Sequence, residues 1–259
     1  MSNNWLSSRA AFVARVLMIF GLAASTVRAD LVLNGGFEIT THGPGEFDSY
    51  TQAIGWTSTY AGPGDQPYNF IFAPGTADTT GSWGDLYNAY LQLWGPGNGS
   101  GNGLPPTSPA GGNFVGADPA FHARAIQQTI PGLTVGDTYT LGFYWAGAQQ
   151  FNYDGQTTMA WHVNFGDAPY QNTPFVINDP KGFTGWQHAT MNFTATATSE
   201  VLSFLALGGP EGPPPFALLD GVSLTDSTVP EASSVLVWGG IIGLGAVLRL
   251  RRRAQPAKA

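Results

Sequence analysis

The stretch TYTLGFYW, Thr138–Trp145, decides the fold. Tyr139, Leu141, Phe143 and Trp145 occupy every second position. An extended backbone therefore sets all four on one face, and Thr140, Gly142 and Tyr144 on the other. A helix would scatter the same residues around its axis. The segment predicts a half-buried β-strand with Trp145 pointing inward and Tyr144 outward.

The same alternation recurs on either side. Met159, Trp161, Val163 and Phe165 alternate with Ala160, His162 and Asn164, and Met191, Phe193 and Ala195 alternate with Asn192 and Thr194. Val201–Leu207 is almost wholly apolar and predicts a central strand buried on both faces. Turn formers separate these runs, among them Pro131-Gly132, Gly136-Asp137, Asp154-Gly155, Gly166-Asp167 and Gly208-Gly209-Pro210. No long stretch carries the helical period, so the chain is expected to be all-β, an antiparallel β-sandwich. Composition agrees: 35 glycines and 19 prolines in 259 residues supply turns, while a hydrophobic share of 43% suffices for a core. With no cysteine, stability must come from packing or bound metal. Gly95–Asn113 (GPGNGSGNGLPPTSPAGGN) predicts a long exposed loop. Just before it, Ser82–Trp94 carries Trp83, Tyr87, Tyr90 and Trp94 with no strand period to anchor them.

The two ends read as addresses. Residues 1–29 combine Arg9 and Arg15, the short apolar run Val16–Ala24 and the small-residue site Val27-Arg28-Ala29, the plan of a secretory signal peptide cleaved after Ala29. At the other end come Val229-Pro230-Glu231-Ala232-Ser233-Ser234, the apolar Val235–Leu248 and the basic cluster Arg249, Arg251, Arg252 and Arg253. By physical chemistry alone this is a tail anchor with its arginines on the cytoplasmic side of a membrane. The order of Pro230, Glu231 and Ser233, a short apolar helix and terminal arginines resembles the PEP-CTERM sorting signal of Gram-negative bacteria, with Ala232 where that family usually has proline. The resemblance implies sorting by an exosortase at the inner membrane, across residues 229–254. It also implies a final place in the cell envelope or in an extracellular matrix rich in exopolysaccharide.

Between the ends, residues 30–228 form the expected ectodomain. Leu33-Asn34-Gly35-Gly36-Phe37-Glu38 opens it, Ile126-Gln127-Gln128-Thr129-Ile130 and Gly136-Asp137-Thr138-Tyr139 stand in its middle, and Leu218-Leu219-Asp220-Gly221-Val222 closes it. Taken in order, these stretches resemble the galactose-binding-like jelly rolls, a fold that includes many carbohydrate-binding modules. The resemblance implies that the opening and closing strands lie side by side, and that Glu38 and Asp220 help hold a structural Ca²⁺ together with backbone carbonyls. On the residues alone, both carboxylates could equally cap turns.

Charge narrows the partners. All seventeen acids lie between Asp30 and Glu231, where Arg124 and Lys181 are the only basic residues. Such a surface repels phosphate backbones and excludes nucleic acid. It suits neutral ligands and divalent cations. Flat aromatic rings are the usual platform for the C–H faces of a sugar. The parity of Trp145 and Trp161 assigns them to the core, and Trp56 and Trp186 are read as structural. Tyr144, His162 and Asn164 have the opposite parity and face outward or into a groove. Trp83 and Trp94 form the alternative platform beside the glycine-rich loop, unless they only clasp it. The four histidines lack metal-ligand spacing, and no nucleophile motif or matched carboxylate pair stands out. The expected function is carbohydrate binding at the cell surface by a non-enzymatic domain. The alternative is a structural or adhesive surface protein without a small ligand, and a glycan-active enzyme comes a distant third.

Overall fold

The computed structural model describes residues 29–59 and 66–227; the segment read from sequence as a signal peptide, up to Arg28, and the one read as a sorting signal lie outside them. Among the described residues thirteen strands follow one another. They are β1 (Thr57–Ser58), β2 (Asn69–Phe72), β3 (Ser82–Gly84), β4 (Ala89–Leu91), β5 (Phe114–Ala117), β6 (Ile126–Pro131) and β7 (Thr138–Gln149). Then come β8 (Thr157–Phe165), β9 (Gln171–Asn172), β10 (Val176–Asn178), β11 (Gln187–Thr194), β12 (Ser199–Gly209) and β13 (Pro215–Asp226). One sheet has the order β1-β6-β12-β8-β10, with β9 also on β8, and the other has the order β11-β7-β13-β5-β2. All strand pairings within them are antiparallel. The fold is the expected all-β sandwich.

The inward parity read from sequence is the parity observed. Tyr139, Leu141, Phe143 and Trp145 of β7 meet Met159, Trp161, Val163 and Phe165 of β8 in the core between the sheets. Met191, Phe193, Leu202 and Phe204 join them there. Trp161 is fully buried, and its indole N–H donates to the Leu218 carbonyl at 2.9 Å, so its polar atom is satisfied as its rings are sequestered. Burying a ring of this size removes about 150–250 Å² from water, worth about 4–6 kcal/mol before entropy is counted.

In β13 the inward set changes parity. Ala217 and Leu219 face the core, then Val222 and Leu224. A bulge between Asp220 and Ser223 absorbs the extra residue, with Gly221 at φ 58° supplying a left-handed turn that a side chain would resist. The bulge leaves Asp220 buried on the outer side of its sheet.

That outer side carries a second core. Phe216 and Leu218 of β13, Phe114 of β5, Phe70 and Phe72 of β2, and Ala146 and Ala148 of β7 pack under Leu91, Leu93 and Leu104. Two segments form the cover. Ser82–Trp94 is not free of β structure, as its lack of period suggested. Ser82–Gly84 and Ala89–Leu91 pair as a hairpin, its turn closed by Asn88 at φ 49°. Nor is Gly95–Asn113 exposed throughout: Leu104, Ser108 and Asn113 are buried, and a short 3₁₀ turn occupies Pro96–Asn98. Glycine and proline deny this segment a strand, but its lone leucine and its side-chain hydrogen bonds fasten it as a strap. Val201–Leu207 departs from expectation in the opposite direction. β12 is central in its sheet, yet within Val201–Leu207 only Leu202, Phe204 and Ala206 are buried, while Val201 is 40% exposed and Ser203, Leu205 and Leu207 are half-buried. Among the described residues nothing comparable to the hairpin and strap covers that face.

A candidate ligand cavity rimmed with tyrosine

The strap is held where Glu38 and Asp220 converge. Both carboxylates approach the space above Gly36, within 3.6 and 3.7 Å of where a Cβ would stand. Ser108 of the strap donates its hydroxyl to Asp220, the Asn113 amide N–H donates to Glu38 at 2.9 Å, and the Asn113 side chain donates to the Phe37 carbonyl at 3.0 Å. Burial pushes the Asp220 carboxyl up to about 7, against the pull of the Ser108 and Gly221 hydrogen bonds, and the Glu38 charge adds to the rise. The pair predicted from sequence is thus brought together. As a Ca²⁺ site it fits in charge and donor hardness, but Ca²⁺ takes about six to eight oxygens. Among the described residues no third acidic or histidine side chain joins the two, so water and backbone carbonyls would have to complete the shell.

The outward residues are not brought together. Tyr144 sits on β7 in one sheet, and His162 and Asn164 sit on β8 in the other, so they occupy opposite faces of the sandwich and cannot line one groove. Tyr144 packs against His188 at 4.9 Å between ring centres. His162 hydrogen-bonds the Asn172 side chain at 2.8 Å and lies 4.4 Å from the Tyr170 ring.

Trp83 and Trp94 flank a cavity without forming its wall. Trp83 packs edge-on against Tyr90 at 5.2 Å, and Trp94 lies 4.6 Å from Phe151 and donates its indole N–H to the Tyr153 carbonyl at 2.7 Å. Tyr90 and Tyr153 in turn line the cavity, which encloses about 350 Å³ under the β3–β4 hairpin. The Lys181 ammonium sits 5.1 Å from the Trp94 ring and pairs with Asp154 at 3.3 Å, bracing the same corner.

The cavity has an aromatic body and an acidic lining. Tyr68, Phe70, Tyr87 and Phe121 enclose it, with Tyr68 edge-on to Phe70 at 4.8 Å and to Phe121 at 5.1 Å. At the rim Tyr87, Tyr90 and Tyr153 are 61%, 62% and 42% exposed. Gln150, Glu46, Asp118 and Glu211 complete the polar lining. Asp118 is buried. Its Oδ1 accepts from the Ala120 and Phe121 amides at 2.7 and 3.1 Å, and its Oδ2 has no hydrogen-bond partner. Burial pushes its carboxyl up to about 7, with a smaller upward push from the Glu211 charge. Glu46 is fully buried. Its Oε2 accepts from the Leu86 amide at 3.0 Å, the Ser49 hydroxyl and the Asp85 amide lie close to the carboxyl, and Oε1 makes no well-formed hydrogen bond. Burial raises this carboxyl as well.

Sequence reasoning singled out Tyr87 and Tyr90 as part of a cluster, but it missed Glu46, Asp118, Glu211 and Tyr153. One signal was present: Asp118 follows directly on Phe114–Ala117, a run buried at every position, and an acid flush with such a strand is costly unless something uses it.

No protein family matches the chain as a whole or in part. The chain is similar to Halomucin of Haloquadratum walsbyi (strain DSM 16790 / HBSQ001), 25% identical over 227 residues, which is 85% of this chain and 2% of Halomucin. It therefore spans a small fraction of the length of that relative. Among solved structures it is similar to TmCBM61 in complex with β-1,4-galactotriose, at 14% identity and a TM-score of 0.41, covering 77% of this chain and 99% of that one. It is also similar to the CBM22-1 xylan-binding domain of Paenibacillus barcinonensis Xyn10C, at 9% identity and a TM-score of 0.37, covering 80% and 100%. Overlap at this level is loose, and the sandwich assignment rests on the strand order and register described above.

Proposed function

We propose that this domain binds carbohydrate at the cell surface and that the tyrosine-rimmed cavity is its binding site. The observation that carries the reading is the pairing of exposed tyrosines at the rim with buried carboxylates and an amide inside. Rings offer flat apolar surface to the C–H face of a sugar, and carboxylates and amides accept or donate the hydrogen bonds that orient its hydroxyls. A concave apolar wall with a few convergent polar groups is the usual form of a small-ligand site.

Affinity electrophoresis in gels containing soluble polysaccharides tests it. Wild type should be retarded in at least one gel, and Tyr90→Ala and Tyr153→Ala should each restore most of the free mobility while melting as wild type does. Unchanged mobility of wild type across neutral, cationic and acidic polysaccharides overturns the reading. Release of new reducing ends during the run would replace it with that of a glycan-active enzyme.

Three further proposals accompany it. Residues 1–29 export the domain, and residues 229–254, with Pro230, Glu231 and Ser233, route it through an exosortase at the inner membrane to the envelope or matrix. A reporter fused after Asp226 should be active only on the far side of that membrane; cytoplasmic activity overturns this. Second, Glu38 and Asp220 hold Ca²⁺ as a structural ion that fastens the strap to the closing strand. Third, an adhesive or structural role without a small ligand is favoured by the bare face of the first sheet, where Phe175, Ile177 and Tyr170 are 59%, 65% and 61% exposed.

A further inference from the structure

We propose that the tyrosine-rimmed cavity selects a protonated amine carried on a sugar ring, so that the preferred ligand is a deacetylated amino-sugar polymer. The inference rests on the carbohydrate reading and narrows it to one class.

Among the described residues three acidic side chains, Glu46, Asp118 and Glu211, line the cavity, and no lysine, arginine or histidine does. Two of the three are buried and each keeps an oxygen without a partner. Leaving a carboxylate oxygen buried and unpaired costs more than most folds tolerate, so such atoms call for a donor from outside the chain. A sugar hydroxyl brings one proton to donate, and an ammonium brings three together with the compensating charge. The aromatic walls point the same way. The rings of Tyr68, Phe70, Tyr87 and Phe121 surround the cavity, and a cation is attracted to an aromatic face the more strongly as water is excluded. A uronate polymer meets the opposite situation, since its carboxylates would enter an acidic lining that offers no cation to pair with. The exposed rings of Tyr90 and Tyr153 are broad surfaces at the mouth, suited to stack on a pyranose and wasted on a slender aliphatic amine.

Binding also has a proton signature. Asp118 holds its proton to about 7 in the free protein. A cation beside it would favour the carboxylate, so uptake of an amine near neutral pH should release protons.

Isothermal titration at pH 7 in two buffers of different ionisation enthalpy tests the proposal on the domain as exported. The probes are a glucosamine oligomer, the N-acetylglucosamine oligomer of the same length, a galactose oligomer, a galacturonate oligomer and putrescine. The glucosamine oligomer should bind at least tenfold more tightly than its acetylated twin and release protons. The galacturonate oligomer should bind weakest of the sugars. Asp118→Asn keeps the shape and the acceptor for the Ala120 and Phe121 amides, and should narrow the amine-to-acetyl ratio to less than threefold. Should that variant fail to fold, the exposed Glu211→Gln should narrow the ratio in the same direction. Equal affinity for the two glucosamine forms overturns the amine preference while the carbohydrate reading stands. Putrescine binding as tightly as the glucosamine oligomer overturns the sugar as carrier. Absence of heat with every sugar brings down the carbohydrate reading itself.

Discussion

The two sheets show the same alternation inward and opposite situations outward. On the second sheet, Phe216, Leu218, Phe114 and Ala146 lie buried beneath the β3–β4 hairpin and the glycine-rich strap. On the first, Val201 and Ile177 are 40% and 65% exposed, and Leu205 and Leu207 are half-buried. Apolar residues occupy both outer faces. What differs is the chain that lies over them, and that chain comes from segments with no strand period of their own. The cavity described above lies on the covered side, where the hairpin supplies one of its walls.

The comparison can be broken from its strongest point downward. Trp161→Ala empties the core between the sheets and should cost about 3–5 kcal/mol, seen as a large fall in the denaturant midpoint. Leu104→Ala under the strap should cost about 2 kcal/mol, since the strap can settle into the gap, and the loss should show first as faster amide exchange in residues 99–113. If both changes cost the same and speed exchange everywhere, the two layers form one cooperative unit and the distinction fails.

Calcium comes next. If Glu38 and Asp220 hold the ion, saturation at 100 times its dissociation constant should stabilise the domain by about 2.7 kcal/mol, and Glu38→Gln should abolish the difference. An identical melting temperature in calcium and in chelator removes the metal from the account.

The pH profile follows. Folded, the Asp118 carboxyl keeps its proton up to about 7, against an ordinary 3.8 in the unfolded chain. Folding therefore takes up a proton between these values. The contribution is full below the lower one and is lost as pH rises through the upper. Between pH 5 and pH 8 wild type should lose about 2 kcal/mol more than Asp118→Asn does. Parallel profiles would place Asp118 in contact with water.

The smallest effects belong to side chains that lie in neither core. Val201→Ser, Tyr144→Ala and His162→Ala should each change stability by less than about 0.5 kcal/mol. A loss above about 1 kcal/mol at Val201 would mean that something covers the first sheet in solution, sharpening the contrast into one between a cover in the same chain and a cover from another.

How far the sequence could be read follows the same division. Period two found β7, β8 and β11, because each strand's own residues record which side meets the core, and an unbroken apolar run found β12. The run misjudged the outward half of β12, and period two missed the hairpin. Burial of an outer face is decided by distant chain, and Ser82–Gly84 and Ala89–Leu91 are too short to show an alternation. For the candidate site, Glu38 and Asp220 were legible through an ordered set of motifs. Tyr144 and His162 were assigned the correct parity, but parity does not say that β7 and β8 lie in different sheets. Glu46 and Asp118 escaped because an acid in a turn looks solvated until the structure buries it.

The strap has a consequence for resistance to proteolysis. A run of nineteen residues dominated by glycine, proline, serine and asparagine is ordinarily the first place a protease cuts. Here Ser100 and Asn102 donate to the Lys181 carbonyl, Gly97 to Asp78, Ser108 to Asp220 and Asn113 to Glu38, so the backbone is tied along its length. Cleavage must wait for the strap to open. The lifetime of a protein that has no disulfide to hold severed pieces together is then set by how rarely those few hydrogen bonds let go together.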